Sequence, residues 1–305
     1  MSARSWSLFA AISVIWGLPY LFIKIAVDGG LTPGFIAWSR VMLAALLLLP
    51  VAWRSGALRG LPLGWLTLFA LCEMAIPFPL IGFGEQRITS SLTAILIASL
   101  PLVVAMLALR FDHSERPTAA RLVGMLIGLG GVAALVGIDL GGRGSELVGA
   151  GAVLLATVGY AIGPLIVKHK LSGADPLGPA TAALALAAII LLPFGVADMP
   201  AEMPSFDAAS SVVVLGLVCS ALAFMVFFRL IAEIGPSRAA VITYINPIVA
   251  LALGVAILGE DVGPGAIAGL LLILAGSWLS TDGRMPPGLA ALRVRRSVSP
   301  PRLLR

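Results

Sequence analysis

The sequence predicts an all-α integral membrane protein of ten transmembrane helices, built as two inverted five-helix repeats around a central cavity. Hydrophobic residues make up 59% of its 305 residues and charged residues only 11%, whereas soluble domains carry about 25% charged residues. The apolar residues fall into ten runs, each close to the roughly 20 residues that cross a bilayer core. The chain also aligns with itself at a nearly constant offset, as internal repeats do.

The ten predicted spans are bounded by charged residues, glycine or proline. The first run is too long for a signal-peptide core and lacks a cleavage site, so we expect it to be retained. The connections are too short for a soluble domain, and the Pro- and Arg-rich residues 283–305 are expected to form a basic cytoplasmic tail. The spans cover approximately residues 6–27, 33–53, 62–83, 90–110, 118–138, 147–167, 177–196, 209–231, 237–258 and 263–281.

The distribution of Lys and Arg predicts the orientation of these spans, because cytoplasmic flanks are enriched in both. With a cytoplasmic N-terminus, all but four of the 20 Lys and Arg residues lie on the cytoplasmic side. Arg87 and Arg143 lie outside, and Lys24 and Arg40 lie within spans. The charge pattern therefore predicts a multi-pass protein of the bacterial cytoplasmic membrane with both termini in the cytoplasm.

An internal repeat relates spans 1–5 to spans 6–10, which gives a first repeat over 1–141 and a second over 142–282. Because each repeat has five spans, the second copy enters the membrane from the opposite side. Such inverted repeats are typical of secondary transporters with a site near the membrane midplane. At offsets of 144 to 146 residues, Trp16 aligns with Tyr160, Lys24 with Lys168 and Pro101 with Pro247.

Two charged residues are predicted to lie deep in the membrane, where an ionisable side chain is costly and is paired or functional. Glu73 lies about halfway along span 3, and Arg40 enters span 2 from the opposite face at a comparable depth. One interpretation is an ion pair between adjacent spans. The alternative is that Glu73 takes part in proton coupling or binds a substrate ammonium group.

Prolines within spans 1, 3, 4, 6 and 9 are expected to interrupt these helices, either as simple kinks or, as the repeat pairs 1 with 6 and 4 with 9 favour, around a shared cavity. Among them, Pro101 and Pro247 are repeat partners and are predicted to act as hinges. Aromatic and polar residues at the same depth are candidates for substrate binding, although each also fits simple packing. The candidates are Trp16, Tyr20, Glu73, Pro77, Ser99, Tyr160, Ser220, Phe224, Tyr244 and Asn246.

Several local patterns together resemble the EamA-type transporters of the drug/metabolite transporter superfamily. The similarity is strongest in the second half and covers nearly the whole chain up to Thr281. It implies a ten-helix secondary transporter whose cavity is lined by spans 1, 3, 4, 6, 8 and 9, and the bacterial amino-acid exporters of this superfamily suggest amino acids as substrates. The patterns are Trp16-Gly17, Phe35 with Arg40 and Ala44, Leu215-Gly216, Gly235-Pro236-Ser237-Arg238, Asn246-Pro247 and Leu258-Gly259-Glu260.

Motifs for other functions are missing from the sequence. It contains no G-x-x-x-x-G-K-[ST] loop for ATP, and neither G-x-S-x-G nor H-E-x-x-H for hydrolysis, so we do not expect an enzyme. The only histidines, His113 and His169, lie in polar connections, and Cys72 and Cys219 lie in apolar runs. We therefore expect neither a metal nor a cofactor. The basic residues do not cluster with aromatic residues, which argues against a nucleic-acid partner.

The leading hypothesis is an alternating-access exporter of small neutral or zwitterionic metabolites, amino acids above all. Its partners would be that small-molecule substrate and the lipid bilayer. The alternatives are an exporter of another metabolite or drug class, and a channel or lipid-handling protein without alternating access. Proton coupling stays open, as does the choice between a monomer and a homodimer, because small-residue pairs in spans 5, 6 and 10 suit packing within or between chains.

Overall fold

A computed structural model describes residues 2–111, 118–139, 144–171, 174–235 and 239–280, and within these ranges all regular structure is helical. Nine helical stretches in the described part are long and apolar enough to cross a membrane, and Pro264–Ser280 is a shorter apolar helix. The predicted all-α membrane fold with ten spans is therefore confirmed. The predicted tail, 283–305, and the boundary between the repeats lie outside the described residues.

The first five spans contain three that are broken into shorter helices. Hydroxyl side chains cap the starts of spans 2 and 4, where Thr32 accepts from the Phe35 amide and Thr89 from the Leu92 amide, both at 3.2 Å. Span 1 is Ala3–Ile15 and Leu18–Asp28, span 2 is Pro33–Arg54, span 3 is Leu63–Ala70, the π-helix Leu71–Ala75 and Pro77–Glu85, span 4 is Ser90–Ile97 and Leu100–Phe111, and span 5 is Ala119–Asp139.

The second five spans contain two broken ones. Span 6 is Gly144–Lys170, span 7 is Leu177–Ala197, span 8 is Phe206–Gly216, the π-helix Leu217–Leu222 and Ala223–Ile234, span 9 is the 3₁₀ helix Ala240–Tyr244 and Asn246–Leu258, and span 10 is Pro264–Ser280. The expected interruptions of spans 1, 3, 4 and 9 are present, but that of span 6 is wrong. Span 6 is one helix with Pro164 inside it, because a proline removes a single helical hydrogen bond and a bend can absorb that loss.

Two π-helical segments interrupt spans 3 and 8 at positions related by the internal repeat. Leu71–Ala75 and Leu217–Leu222 begin 146 residues apart, the offset that also relates Pro101 to Pro247. Such π-bulges occur frequently at functional sites because the wider turn redirects side chains and loosens backbone hydrogen bonding. The matching positions give both halves of the bundle the same local irregularity.

Contacts at the two ends of the bundle follow the alternation expected for ten spans. At one end, which we call the Glu233 face, Arg4 at the start of span 1 pairs with Glu233 at the end of span 8, with Nε and Oε1 3.0 Å apart. At the opposite end, the Glu260 face, Glu260 after span 9 binds the start of span 4. Lys24 near the end of span 1 donates to the main-chain oxygen of Glu85 at the end of span 3 on this same face.

Apolar side chains pack between the spans and also cover the outside of the bundle. The largest buried cluster joins spans 2, 3 and 7 and includes Leu48, Met74 and Leu184. Large apolar side chains such as Leu126 and Ile189 point outward and are 70% and 68% exposed. An apolar exterior is expected where the surrounding solvent is lipid.

Spans 5 and 10 approach each other closely at their glycines. A Cβ atom on Gly124 would lie 2.8 Å from the main-chain oxygen of Gly276, and one on Gly276 would lie 2.6 Å from that of Gly124. Small residues allow such close backbone approach between membrane helices. The glycine faces of spans 5 and 10 are therefore covered by contacts within the chain.

Candidate functional site

A cavity of about 220 Å³ lies in the middle of the bundle, next to the breaks in spans 1, 3, 4, 8 and 9. Backbone that leaves regular helical geometry at membrane depth is tolerated where it lines a cavity or is covered by protein. The cavity thus lies where the sequence predicted it. Its lining includes Trp16, Pro19, Tyr20, Ile23, Arg40, Glu73, Met74, Phe78, Ile81, Ala94, Ile97, Ala98, Leu100, Tyr160, Pro164, Cys219, Ser220, Phe224, Thr243, Asn246 and Pro247.

One side of the cavity is an aromatic wall formed by spans 1 and 8. The ring of Trp16, at the break of span 1, meets Phe224 edge to face with centroids 6.1 Å apart, and Phe227 with centroids 4.6 Å apart. Phe224 also stacks on Phe228 at 5.8 Å. Contacts between aromatic rings stabilise one another beyond simple area burial, so this wall is a firm apolar surface for a ligand.

The π-helix in span 8 positions the cationic residue of the cavity. The Ser220 hydroxyl donates to the main-chain oxygen of Leu215, five residues earlier, at 2.9 Å. Ser220 then accepts a hydrogen bond from Nε of Arg40 at 2.8 Å, and the guanidinium carbon lies 4.1 Å from the centre of the Phe78 ring. Arg40 is held by a hydroxyl on one edge and by an aromatic face on its plane.

Glu73 lies in the π-helix of span 3, and its carboxylate points toward span 6. A Cβ atom on Gly163 would overlap Oε2 of Glu73 and would lie 3.4 Å from the Phe69 ring. Oε2 is buried and has no hydrogen-bond partner. The absent side chain of Gly163 thus provides the space that the Glu73 carboxylate occupies.

The ion pair between Arg40 and Glu73, one of the two interpretations of these residues, is not formed. The ion pairs seen in the described part of the chain join Arg4 to Glu233 and Lys24 to Asp28, and Arg40 bonds to Ser220 instead. The expectation rested on equal depth along the spans, which does not fix the direction of a side chain around the helix axis. Glu73, within the π-helix, is directed toward span 6, and Arg40 is directed toward span 8.

Asn246 lines the cavity but also joins the breaks of spans 1 and 9. With the orientation that satisfies its neighbours, its amide nitrogen donates to the main-chain oxygens of Ile242 at 2.9 Å and Ser13 at 3.1 Å. These carbonyls lie beside the two breaks, where regular helical hydrogen bonds are interrupted. Asn246 therefore stabilises the local backbone as well as facing the cavity.

Seven of the ten predicted substrate-binding residues line the cavity, and three do not. Ser99 is buried and its hydroxyl donates to the main-chain oxygen of Leu96 at 2.6 Å. Pro77 packs toward Gly159 of span 6, and Tyr244 lies at the end of the 3₁₀ helix, outside the cavity lining. The seven lining residues are Trp16, Tyr20, Glu73, Tyr160, Ser220, Phe224 and Asn246.

Sequence reasoning missed parts of the lining. Phe78 and Thr243 lack a distinguishing pattern in the sequence, and Arg40, apart from its place in the family pattern, was considered only as a partner of Glu73. The depth of Arg40 was the available signal for a direct role in the cavity. In the described residues no group of three or more His, Cys, Asp or Glu side chains is arranged to hold a metal ion.

The two predicted hinge residues differ in their relation to the cavity. Pro247 lines it directly, whereas Pro101 lies just beyond the lining residue Leu100. Each proline is the second residue of the helix that follows a break, and the residues four positions earlier, Ile97 and Thr243, both line the cavity. The bends that these prolines accompany therefore form part of the cavity wall.

At the Glu260 face, a carboxylate joins span 9 to span 4. Glu260 accepts hydrogen bonds from the Ser90 amide at 2.7 Å, from the Ser91 amide at 3.0 Å and from the Ser91 hydroxyl at 2.5 Å. Amide groups at a helix start have no partner within the helix, and a negative charge there also interacts favourably with the helix dipole. Glu260 thus connects two repeat-related spans beside a polar pocket of about 390 Å³.

The chain is similar to several curated transporters along most of its length. It is 28% identical to a probable terminal-alkyne amino-acid exporter of Streptantibioticus cattleyicolor, with 92% of this chain and 93% of that protein covered. It is 27% identical to a probable amino-acid metabolite efflux pump of Salmonella typhimurium, with 97% and 98% covered. An uncharacterized inner membrane transporter of Escherichia coli, YedA, is 28% identical, with 82% and 81% covered.

The fold and the sequence family agree with these similarities. A solved crystal structure superposes with a TM-score of 0.64 at 15% identity, covering 93% of this chain and all of that one, which supports the fold. The model of the EamA-like transporter family matches twice, over residues 4–137 and 147–281. The chain is a multi-pass membrane protein and belongs to the EamA-like transporter family.

Proposed function

We propose that this protein is a secondary transporter that exports small neutral or zwitterionic metabolites, amino acids above all, by alternating access. The observation that carries the proposal is the cavity at mid-depth, bounded by helix breaks in both halves of the bundle. Its volume of about 220 Å³ is below the ~300–1,000 Å³ of pockets for drug-sized ligands. A small metabolite suits this space better than a drug does.

The internal symmetry of the bundle supports alternating access. Matching π-helices interrupt spans 3 and 8, and the breaks before Pro101 and Pro247 interrupt spans 4 and 9. In an inverted repeat, partners of this kind allow each half to open on its own side of one central site. A channel has no need for paired breaks around a central cavity.

The Glu233 face is assigned to the cytoplasm and the Glu260 face to the outside. Arg54, Arg121 and Lys170 are among the cationic residues at the Glu233 face, whereas Arg87 lies at the Glu260 face. Cytoplasmic flanks carry the excess of Lys and Arg. This orientation puts both termini in the cytoplasm of a bacterial cell, and export then runs from the Glu233 face to the Glu260 face.

Amino acids are the first choice of substrate for two reasons. Two relatives are named for amino-acid export or amino-acid metabolite efflux. The cavity combines an aromatic wall with the Glu73 carboxylate and the hydroxyls of Tyr20 and Tyr160, which suits an apolar side chain next to an ammonium group. A phosphorylated substrate would need several cationic residues, and Arg40 is the cation among the described lining residues.

A counterflow screen in proteoliposomes tests this proposal. Vesicles loaded with an unlabelled amino acid should take up the labelled form transiently above equilibrium, and uptake should saturate with concentration. Vesicles without protein serve as the baseline. A flux that neither saturates nor accelerates with substrate on the far side would favour a channel or lipid-handling protein and would contradict alternating access.

A further inference from the structure

Arg40 and Glu73, two ionisable side chains of opposite type, line the same cavity, and no ion pair joins either of them to another described residue. Arg40 bonds to the uncharged Ser220, and Oε2 of Glu73 has no hydrogen-bond partner. The described ion pairs lie at the ends of the bundle instead. An ionisable side chain in the membrane interior is costly, so two of opposite type in the lining of one cavity indicate groups that a ligand completes.

Arg40 is arranged to receive a carboxylate. Its Nε is occupied by Ser220, its plane lies against Phe78, and its residue is only 7% exposed. The two terminal nitrogens have no hydrogen-bond acceptor among the described residues, and they remain as a planar pair of donors. That pair matches the two oxygens of a carboxylate, which is why Arg binds carboxylates in a two-pronged manner.

Glu73 supplies the complementary charge from another part of the lining. It projects from span 3 toward Gly163 of span 6, whereas Arg40 is bound to span 8. The two side chains thus contact different spans around the cavity. A ligand that spans them needs an anionic and a cationic group in one small molecule.

We propose that Arg40 binds the carboxylate of the substrate and Glu73 its ammonium group, which makes the pair the determinant of selectivity for zwitterions. The Trp16 and Phe224 wall would then contact an apolar side chain. This inference rests on the proposed function and adds the substrate's polarity and its anchoring groups. A simple amine lacks the group for Arg40, and a simple carboxylic acid lacks the group for Glu73.

The test uses competition against counterflow of labelled L-leucine in proteoliposomes of the full-length protein. Leucinamide keeps the ammonium group but has no carboxylate, and N-acetyl-leucine keeps the carboxylate but has no ammonium group. A hydrogen bond to a charged group contributes about 1.5–3 kcal/mol, which corresponds to roughly 10- to 100-fold in affinity. Each analogue should therefore compete about 10- to 100-fold less well than leucine.

The variants separate the two anchors. In Arg40→Gln, leucine should bind about 10- to 100-fold more weakly, and its advantage over leucinamide should disappear while its advantage over N-acetyl-leucine remains. Glu73→Gln should show the reverse pattern. Arg87→Gln is the matched control, because Arg87 also lies over a phenylalanine ring, Phe83, at 3.5 Å but lines the polar pocket at the Glu260 face.

The outcomes distinguish this inference from the proposed function. If no amino acid shows counterflow in the parent protein, the proposed function is wrong and the inference falls with it. If counterflow occurs but Arg40→Gln keeps the parent's preference for leucine over leucinamide, the inference is overturned and the exporter remains. If Arg40→Gln does not fold, equal competition by leucinamide and leucine in the parent protein overturns the inference by itself.

Discussion

Removing the Glu260 carboxylate should release the contact between spans 9 and 4 at the Glu260 face. In Glu260→Ala, two amides and one hydroxyl at the start of span 4 lose their acceptor. Loss of a helix cap costs about 1 kcal/mol, and loss of one bond to a charged group costs up to about 3 kcal/mol. Water in the adjacent polar pocket replaces part of the rest.

Glu260→Ala should therefore destabilise the conformation in which the Glu260 face is closed by about 1–3 kcal/mol, relative to the conformation in which it is open. That free energy corresponds to a roughly 5- to 150-fold shift between two conformations. Glu260→Gln should give an intermediate effect, because the amide keeps one acceptor oxygen and places a donor against the Ser91 amide.

Accessibility of a cysteine in the cavity measures this shift. Ile97 lines the cavity at the end of the first helix of span 4, so Ile97→Cys in a background without Cys72 and Cys219 provides the reporter. A membrane-impermeant maleimide applied from the Glu260 face should react about 5- to 150-fold faster when Glu260→Ala is added. The matched control is Asp261→Asn, which changes the neighbouring carboxylate, and it should leave the rate unchanged.

An unchanged labelling rate in Glu260→Ala would refute this reasoning if the variant is folded and the reporter is labelled normally after denaturation. It would mean that the hydrogen bonds at the start of span 4 do not differ between the conformations. A rate that rises equally in Asp261→Asn would show a general charge effect instead of a specific contact.

Further predictions concern the hinges, the topology, the packing of spans 5 and 10, and the two buried charges. Pro101→Ala and Pro247→Ala should each change the maximal transport rate more than the apparent affinity, and parent rates in both would exclude a hinge role. Labelling should place Asp207 outside, and cytoplasmic labelling there would contradict the ten alternating spans. Gly124→Ala should lower the melting temperature, at a cost of about 1–3 kcal/mol, whereas Gly130→Ala, with open space around it, should not. Combining Arg40→Gln with Glu73→Gln should change the stability by the sum of the two single effects, and a clear departure from that sum in the double variant would show that the two side chains do interact.

The spans could be predicted from sequence because the bilayer imposes one length and one composition on each of them. Backbone N–H and C=O groups in lipid must form their hydrogen bonds within the chain. A run of roughly 20 apolar residues therefore has few alternatives to a membrane-spanning helix. Depth along a span follows from counting residues, and Glu73 and Arg40 do both line the central cavity as their depth suggested.

Direction around the helix axis could not be predicted in the same way. One residue added or removed by a local break turns all later side chains by about 100° in a helix of 3.6 residues per turn. Glu73 lies within the π-helix of span 3 and is directed toward span 6, and the 3₁₀ helix in span 9 ends at Tyr244, outside the cavity lining. The π-helix in span 8 contains no proline, so the sequence carried no recognisable signal for it.

The glycine contact between spans 5 and 10 also has a consequence for biosynthesis. Span 5 is made midway through translation, but the backbone that fits against Gly124 belongs to span 10, the last helix of the bundle. Until span 10 has been synthesised and inserted, the glycine face of span 5 therefore lacks its native contact in the membrane. A nascent chain interrupted before Pro264 would hold nine spans and still leave this face open to any small-residue helix that diffuses against it.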